Sequence, residues 1–310
     1  MKNFTKSFFN FPNSGSNLVK IFIIAAVLIG YYLVLRGYIK LPSVISLGPV
    51  NIHFYGLAIL GGIATTSYFV NKEIKKFSWS KNLVFEDALF FVLIPGVIGA
   101  RLWHVITDWY LYQNDPVAAL YIWNGGLGIY GGIIGGLLGA YIYCRKQKLP
   151  FLQILDLLVV FIPLAQIIGR LGNLVNQEIF GPKTSLPWGF YVERLGNYFH
   201  PAFLYEQLGN LILFIILYNT YKYLRSKSYP QDQLNHKLIQ HKLTRLFVGK
   251  SGSLFILYLL GYAFIRFIVD FFRLEPAFYL GLTFAQFFSL LVMSGCLFPL
   301  ILKEQKYRQS

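Results

Sequence analysis

Apolar runs of about 20 residues recur along the whole of this 310-residue chain. A run of that length is what a helix needs to cross the hydrocarbon core of a bilayer. Eight segments read this way, near 17–36, 50–70, 84–107, 116–143, 152–176, 202–221, 253–272 and 279–302. Inside lipid the backbone must satisfy its own hydrogen bonds, which leaves helices or a closed barrel. A barrel is built from alternating segments of about 10 residues, whereas these run to helix length. The expected class is an all-α polytopic membrane protein, with no separate soluble domain and no long low-complexity tract. Charged residues make up 13% of the chain, against roughly a quarter in soluble domains.

The formal net charge is +15, a value that nucleic-acid binders also reach. Its distribution follows the apolar segments instead. One set of connections holds Lys2, Lys6 and Lys20; then Lys72, Lys75, Lys76 and Lys81; then Arg145, Lys146 and Lys148. The same set continues with Lys222, Arg225, Lys227, Lys237, Lys242, Arg245 and Lys250, and ends with Lys303, Lys306 and Arg308. That is 20 basic residues, against five on the other side: Arg36, Lys40, Lys183, Arg194 and Arg273. The positive-inside rule puts both termini in the cytoplasm. The basic charge is a topology signal, and no nucleic-acid partner is expected. Segment 17–36 is long for a signal peptide and no small-x-small cleavage pattern follows it, so a retained anchor helix is expected. Cys144 and Cys296 both sit near the inner ends of predicted helices. Neither a disulfide nor a metal site is expected from them.

Of the 28 basic residues, three fall within or at the edge of apolar segments: Arg101, Arg170 and Arg266. Burying an arginine there costs at least about 2.5–3.5 kcal/mol, so each is a candidate functional residue. In "GYAFIRFIVDFFR", helical spacing puts Tyr262, Arg266, Asp270 and Arg273 on one face. The plain alternative is a structural Arg266–Asp270 pair. The second arginine on the stripe leaves a positive surplus that suits an anionic ligand near the outer membrane face. In "GARLWHVITDW", Arg101, His104 and Asp108 share a face, and there a structural role is the expectation.

"GGLGIYGGIIGGLLGA", residues 125–140, carries two rows of glycines four apart, which let helix backbones approach closely. It has no lysine and hydroxyl of a phosphate-binding loop. Its Tyr130 hydroxyl needs a partner in a dry place. In "NYFHPAFLYEQ", His200 and Pro201 open a helix and Glu206 follows within about a turn; helix capping is a sufficient reading of that carboxylate. In "GRLGNLVNQEIFG", residues 169–181, Arg170, Asn173 and Gln177 share a helical stripe, with Asp156 four turns earlier on roughly the same face. Pro163 is expected to kink the helix between them, and the chain to leave the helix near Asn176. These residues are expected to line one pocket with the Arg266 face, where two arginine forks suit phosphate oxygens.

"GRLGNLVNQEIFG" meets every fixed position of G-R-x-G-N-x-x-N-x-E-x-x-G, and with it the chain resembles the prolipoprotein diacylglyceryl transferases. "SLGPVNIHFYGL", "GGLGIYGGIIGG", "HPAFLYE" and "GYAFIRFIVDFFR" are similar and in the expected order. The resemblance implies a seven-helix core over residues 42–302; the apolar segment 17–36 adds an expected extra membrane helix within an N-terminal region 1–41, and 303–310 is expected as a cytoplasmic tail. It implies an enzyme of the bacterial inner membrane. That enzyme moves diacylglyceryl from phosphatidylglycerol to the lipobox cysteine thiol of a prolipoprotein signal peptide, releasing glycerol-1-phosphate. No cofactor or metal is implied. Arg170, Arg266 and Tyr130 are the implied catalytic residues. The lipid would be bound by Arg170, Asn173, Asn176, Glu178, Tyr55, Tyr262, Asp270, Arg273, His200 and Glu206. The chain departs from well-studied members in having Tyr130 for a histidine and Asp270 for a glutamate. A tyrosine near pKa 10 is a poor base at neutral pH, which leaves the general base open. A non-catalytic lipid- or lipoprotein-binding relative and a transporter are the alternatives; inverted repeats, which would favour a transporter, are not visible.

Overall fold

The computed structural model describes residues 14–48, 50–226 and 251–309. Lys2, Lys6 and the basic residues between 227 and 250 lie outside them. Among the described residues there are eight α-helices: α1 Ser14–Leu35, α2 Phe54–Ile74, α3 Phe85–Thr107, α4 Ile129–Lys146, α5 Phe151–Asn176, α6 Ala202–Ser226, α7 Ser253–Val269 and α8 Phe284–Gln309. Three antiparallel hairpins join some of them: β1 Val44–Leu47 with β2 Val50–His53, β3 Phe190–Val192 with β4 Asn197–Phe199, and β5 Ala277–Tyr279 with β6 Leu282–Thr283. Helices dominate and no sheet closes, so the architecture is the all-α membrane class expected. Among the described residues, four helical stretches are long and apolar enough to cross a membrane: Phe85–Thr107, Phe151–Asn176, Ala202–Arg225 and Ser253–Phe272.

The expected helix 116–143 is not continuous. Residues 116–124 form short 3-10 turns, and α4 begins only at Ile129. Pro116 opens the first turn, and Gly125 and Gly126 both take positive φ, which a helix cannot accommodate. Likewise 50–70 and 279–302 each start in a hairpin rather than a helix.

The chain divides into two compact units. The first holds residues 1–63, 163–213 and 259–310; the second holds 64–162 and 214–258. In the second, α3 and α4 pack at backbone distance. A Cβ on Gly131, Gly135 or Gly139 would overlap the carbonyl of Gly99, Pro95 or Phe91 in turn, so the glycine row is there for close approach. Arg101, 7% exposed, donates to the carbonyls of Ala118, Ala119, Gly125 and Gly126 at 2.7–3.0 Å. It satisfies the irregular backbone between α3 and α4, the structural role expected of it. His104 pairs with Asp108 at 2.8 Å. Asp156 accepts the backbone N–H groups of Gly252 at 2.6 Å and Phe255 at 2.9 Å. It therefore caps the start of α7. The first turn of a helix has unpaired donors, and a carboxylate from a neighbouring helix takes them.

In the first unit the apolar centre gathers Leu35 from the end of α1, Leu174 from α5, Phe190, Val192 and Phe199 from the β3–β4 hairpin, and Phe203 from α6. The ends of α1 and α5 and the start of α6 therefore meet in one place.

Candidate active site

The site is built in the first unit from α5, α6 and α7. Glu206, fully buried on α6, accepts from Arg170 Nη2 at 2.6 Å and from Tyr262 at 3.1 Å on Oε1, and from Arg266 Nη1 at 3.0 Å on Oε2. Arg170 also donates to Asn173 Oδ1 at 3.0 Å. Arg266 donates to Asp270 Oδ1 at 3.2 Å, and Asp270 in turn accepts from the Thr283 hydroxyl. Arg273 lies 3.8 Å from Asp270 and bonds Glu275 at 2.5 Å. The two arginines do converge from different helices, as expected, but on Glu206, a carboxylate expected among the lipid-binding residues and otherwise readable as a helix cap. Three guanidinium groups now face Glu206, Asp270 and Glu275, so the expected cationic surplus is offset. The physical reason is burial: two guanidinium groups cannot share a dry site without a counter-charge. Only a carboxylate a turn inside an apolar helix could have signalled this, and that signal equally fits a cap.

The signature turn follows α5. Asn173 Nδ2 and Asn176 Nδ2 both donate to Glu178 Oε1, at 3.1 and 3.2 Å. The amides of N-x-x-N-x-E thus hold the carboxylate five and two residues on. Gln177 and Ile179 both take left-handed backbone, φ 53° and 57°. For a β-branched residue that is strained, and such strain persists where surrounding contacts over-determine it. The turn takes Gln177 off the expected stripe, and its Oε1 instead accepts the Glu193 N–H at 2.9 Å. Gly172 lacks a side chain because the ring of Tyr55, at the start of α2, fills that space. Gly181 is equally constrained, by the Phe272 carbonyl.

His200 Nδ1 pairs with the Tyr205 hydroxyl at 2.9 Å and its ring lies 5.8 Å from that of Phe272, so its partners are aromatic rather than the arginines. Tyr130 belongs to the second unit, at the start of α4, with its ring 5.7 Å from Trp103. Thr283, Glu275 and Gln207 were not anticipated; single polar residues in loops or apolar helices leave no pattern to read. A cavity of about 340 Å³ opens beside Arg266, lined by Asp270, Arg273, Phe278, Thr283 and Phe284 among others. No group of three or more His, Cys, Asp or Glu side chains with metal-binding geometry occurs among the described residues.

A helical membrane protein with a buried, carboxylate-bridged arginine pair beside a cavity is the class that fold and site define. The family model for prolipoprotein diacylglyceryl transferase matches residues 42–302. The chain belongs to that family. It is 35% identical over 280 residues to a protein of Cutibacterium acnes, with 86% of each chain covered. It is 33% identical to one of Streptococcus uberis, covering 86% of this chain and 96% of the relative, and 30% identical to one of Pediococcus pentosaceus, covering 86% and 92%. All three relatives are named phosphatidylglycerol–prolipoprotein diacylglyceryl transferase.

Proposed function

We propose that this protein is a phosphatidylglycerol–prolipoprotein diacylglyceryl transferase of the bacterial inner membrane, with both termini cytoplasmic. The lipobox cysteine of a prolipoprotein signal peptide attacks, as thiolate, the glycerol carbon that bears the phosphate. A C–S bond forms and the C–O bond to phosphate breaks. The thiol proton passes to a base, and glycerol-1-phosphate leaves with the electron pair. The thiolate is the competent nucleophile, so the task left to the protein is to hold the departing charge.

The observation that carries the reading is an asymmetry of exposure. Arg170 and Arg266 keep 19% and 16% of their side-chain surface accessible, while the Glu206 that bridges them keeps none. The cations can be reached and the anion cannot. Glu206 holds the two forks side by side, and their remaining donors suit the oxygens of one phosphate. Donors fixed before the reaction need not reorganise as charge develops, which is how such groups lower a barrier. Asn173, Asn176 and Glu178 hold the turn beneath Arg170; Tyr55, Tyr262, Asp270 and Arg273 complete the surround, with His200 at its edge. Tyr130, in the second unit, is a candidate catalytic residue from the family resemblance alone.

The test is a transferase assay on purified protein with phosphatidylglycerol vesicles and a lipobox peptide, alongside Arg170→Lys and Arg266→Lys. The parent should form the thioether. Each lysine variant should fold and insert yet lose about 10²–10³ in rate, as when one oxyanion donor is deleted. Lysine variants at parental rates would assign the arginines to scaffolding, and a parent without thioether formation would refute the transfer reading. The double variant Arg266→Leu with Asp270→Leu should be stable and inactive, since a buried pair can be replaced by apolar residues without loss of stability.

A further inference from the structure

We infer that Tyr31 and Gln207 form a positioning relay through which α1 sets the geometry of the Arg170–Glu206 pair. This rests on the transfer reading above. α1 lies outside the residues that match the family, 42–302. Its Tyr31 hydroxyl donates to Gln207 Oε1 at 2.6 Å, and Gln207 Nε2 donates to the Ile167 carbonyl at 2.8 Å. Gln207 is 6% exposed and directly follows Glu206 on α6. Ile167 precedes Arg170 by three residues on α5. Two hydrogen bonds thus run from α1 through α6 to α5, arriving within a turn of both members of the ion pair.

The chemistry of each group fixes the direction. An amide has one acceptor end and one donor end. The Ile167 carbonyl can only accept, so it takes the NH₂ end and leaves Oε1 to accept from the Tyr31 phenol. Remove the phenol's hydrogen and the buried Gln207 oxygen loses its donor, so the amide is held from the α5 side alone. The phenol is itself delivered by a docked helix. Leu35, one turn on, is 2% exposed in the apolar centre, and the Arg36 guanidinium stacks 3.9 Å over the Tyr198 ring. An anchor that only held the chain in lipid would need none of these contacts. A displacement of about 1 Å at reacting groups can cost on the order of 10²-fold in rate, so a relay one residue from Glu206 acts on turnover before it acts on stability.

The experiment uses the full chain in phosphatidylglycerol vesicles with a lipobox peptide. Tyr31→Phe removes one oxygen and keeps the ring. Its kcat should fall roughly 10-fold, with KM for phosphatidylglycerol and the unfolding midpoint close to the parent's. Gln207→Leu should lose at least as much. The double variant should lose no more than Gln207→Leu alone, because both changes break one chain of bonds. Parental kcat in Tyr31→Phe, or losses that multiply in the double variant, would overturn the relay while leaving the transfer reading intact. A loss of turnover that tracks the fraction of protein unfolded would overturn it as well, by reducing Tyr31 to a packing residue. A parent without turnover would overturn both.

Discussion

Glu206 illustrates how one side chain can decide whether two others are tolerable. Arg170 and Arg266 are each expensive in an apolar setting, and each is bonded to a different oxygen of this one carboxylate. Glu206→Ala would leave both guanidinium groups without their shared counter-charge. Breaking a buried pair from one side costs roughly 3–5 kcal/mol, so the variant should show a lower unfolding midpoint in detergent and poor recovery from membranes. Wild-type recovery would mean that the arginines find other anions. Tyr130 is the opposite case, a residue judged by chemistry rather than charge. Tyr130→His should keep substantial activity and Tyr130→Phe should lose more, if a proton-competent group is needed there. Full activity in Tyr130→Phe would make the residue a packing group beside Trp103. The arginines, the amides of the signature and Glu178 were legible from their chain spacing, because the motif is local. The bridging by Glu206 was not, because it links residues 36 and 60 positions apart and no periodicity reports such a pairing.

Among the elements, α3 and α4 show which sequence signals survive folding. The glycine row at 131, 135 and 139 announced close packing, and the structure puts each glycine against a carbonyl of α3. Gly135→Ala should therefore destabilise by about 1–3 kcal/mol, the usual cost of overpacking. Gly136 lies one residue away, and a Cβ there would meet Val92 at an ordinary 3.6 Å. Gly136→Ala should be neutral, or stabilise by about 0.5–1 kcal/mol through lower chain entropy. Thermal unfolding of the two variants side by side separates the readings; equal midpoints would show the helices sliding apart to make room. The helix starts were less legible. Hydropathy carried the 116–143 segment through Gly125 and Gly126 because both glycines sit among apolar residues, yet their backbone conformation ends any helix. The cap that Asp156 supplies to α7 was illegible for a related reason. A helical wheel gives direction around one axis and knows nothing of a neighbouring helix whose first N–H groups need an acceptor.

At the level of the whole molecule, the charge asymmetry of the connections predicts that reporters fused at Lys6 and after Lys303 both read cytoplasmic. A periplasmic reading at Lys6, or loss of that reporter by cleavage, would remove α1 from the membrane. The order of the site along the chain has a consequence for how the protein is made. Arg170 is synthesised before its counter-ion, and Glu206 follows 36 residues later, after the β3–β4 hairpin. For that interval the nascent chain holds an arginine in an apolar helix without the carboxylate that bridges it in the folded protein, a costly state. The insertion machinery would therefore have to keep α5 beside its exit until α6 is complete and release the two as a hairpin. Arg266, 60 residues after Glu206, arrives at a carboxylate already in place, so α7 can partition by itself as the last member of the trio.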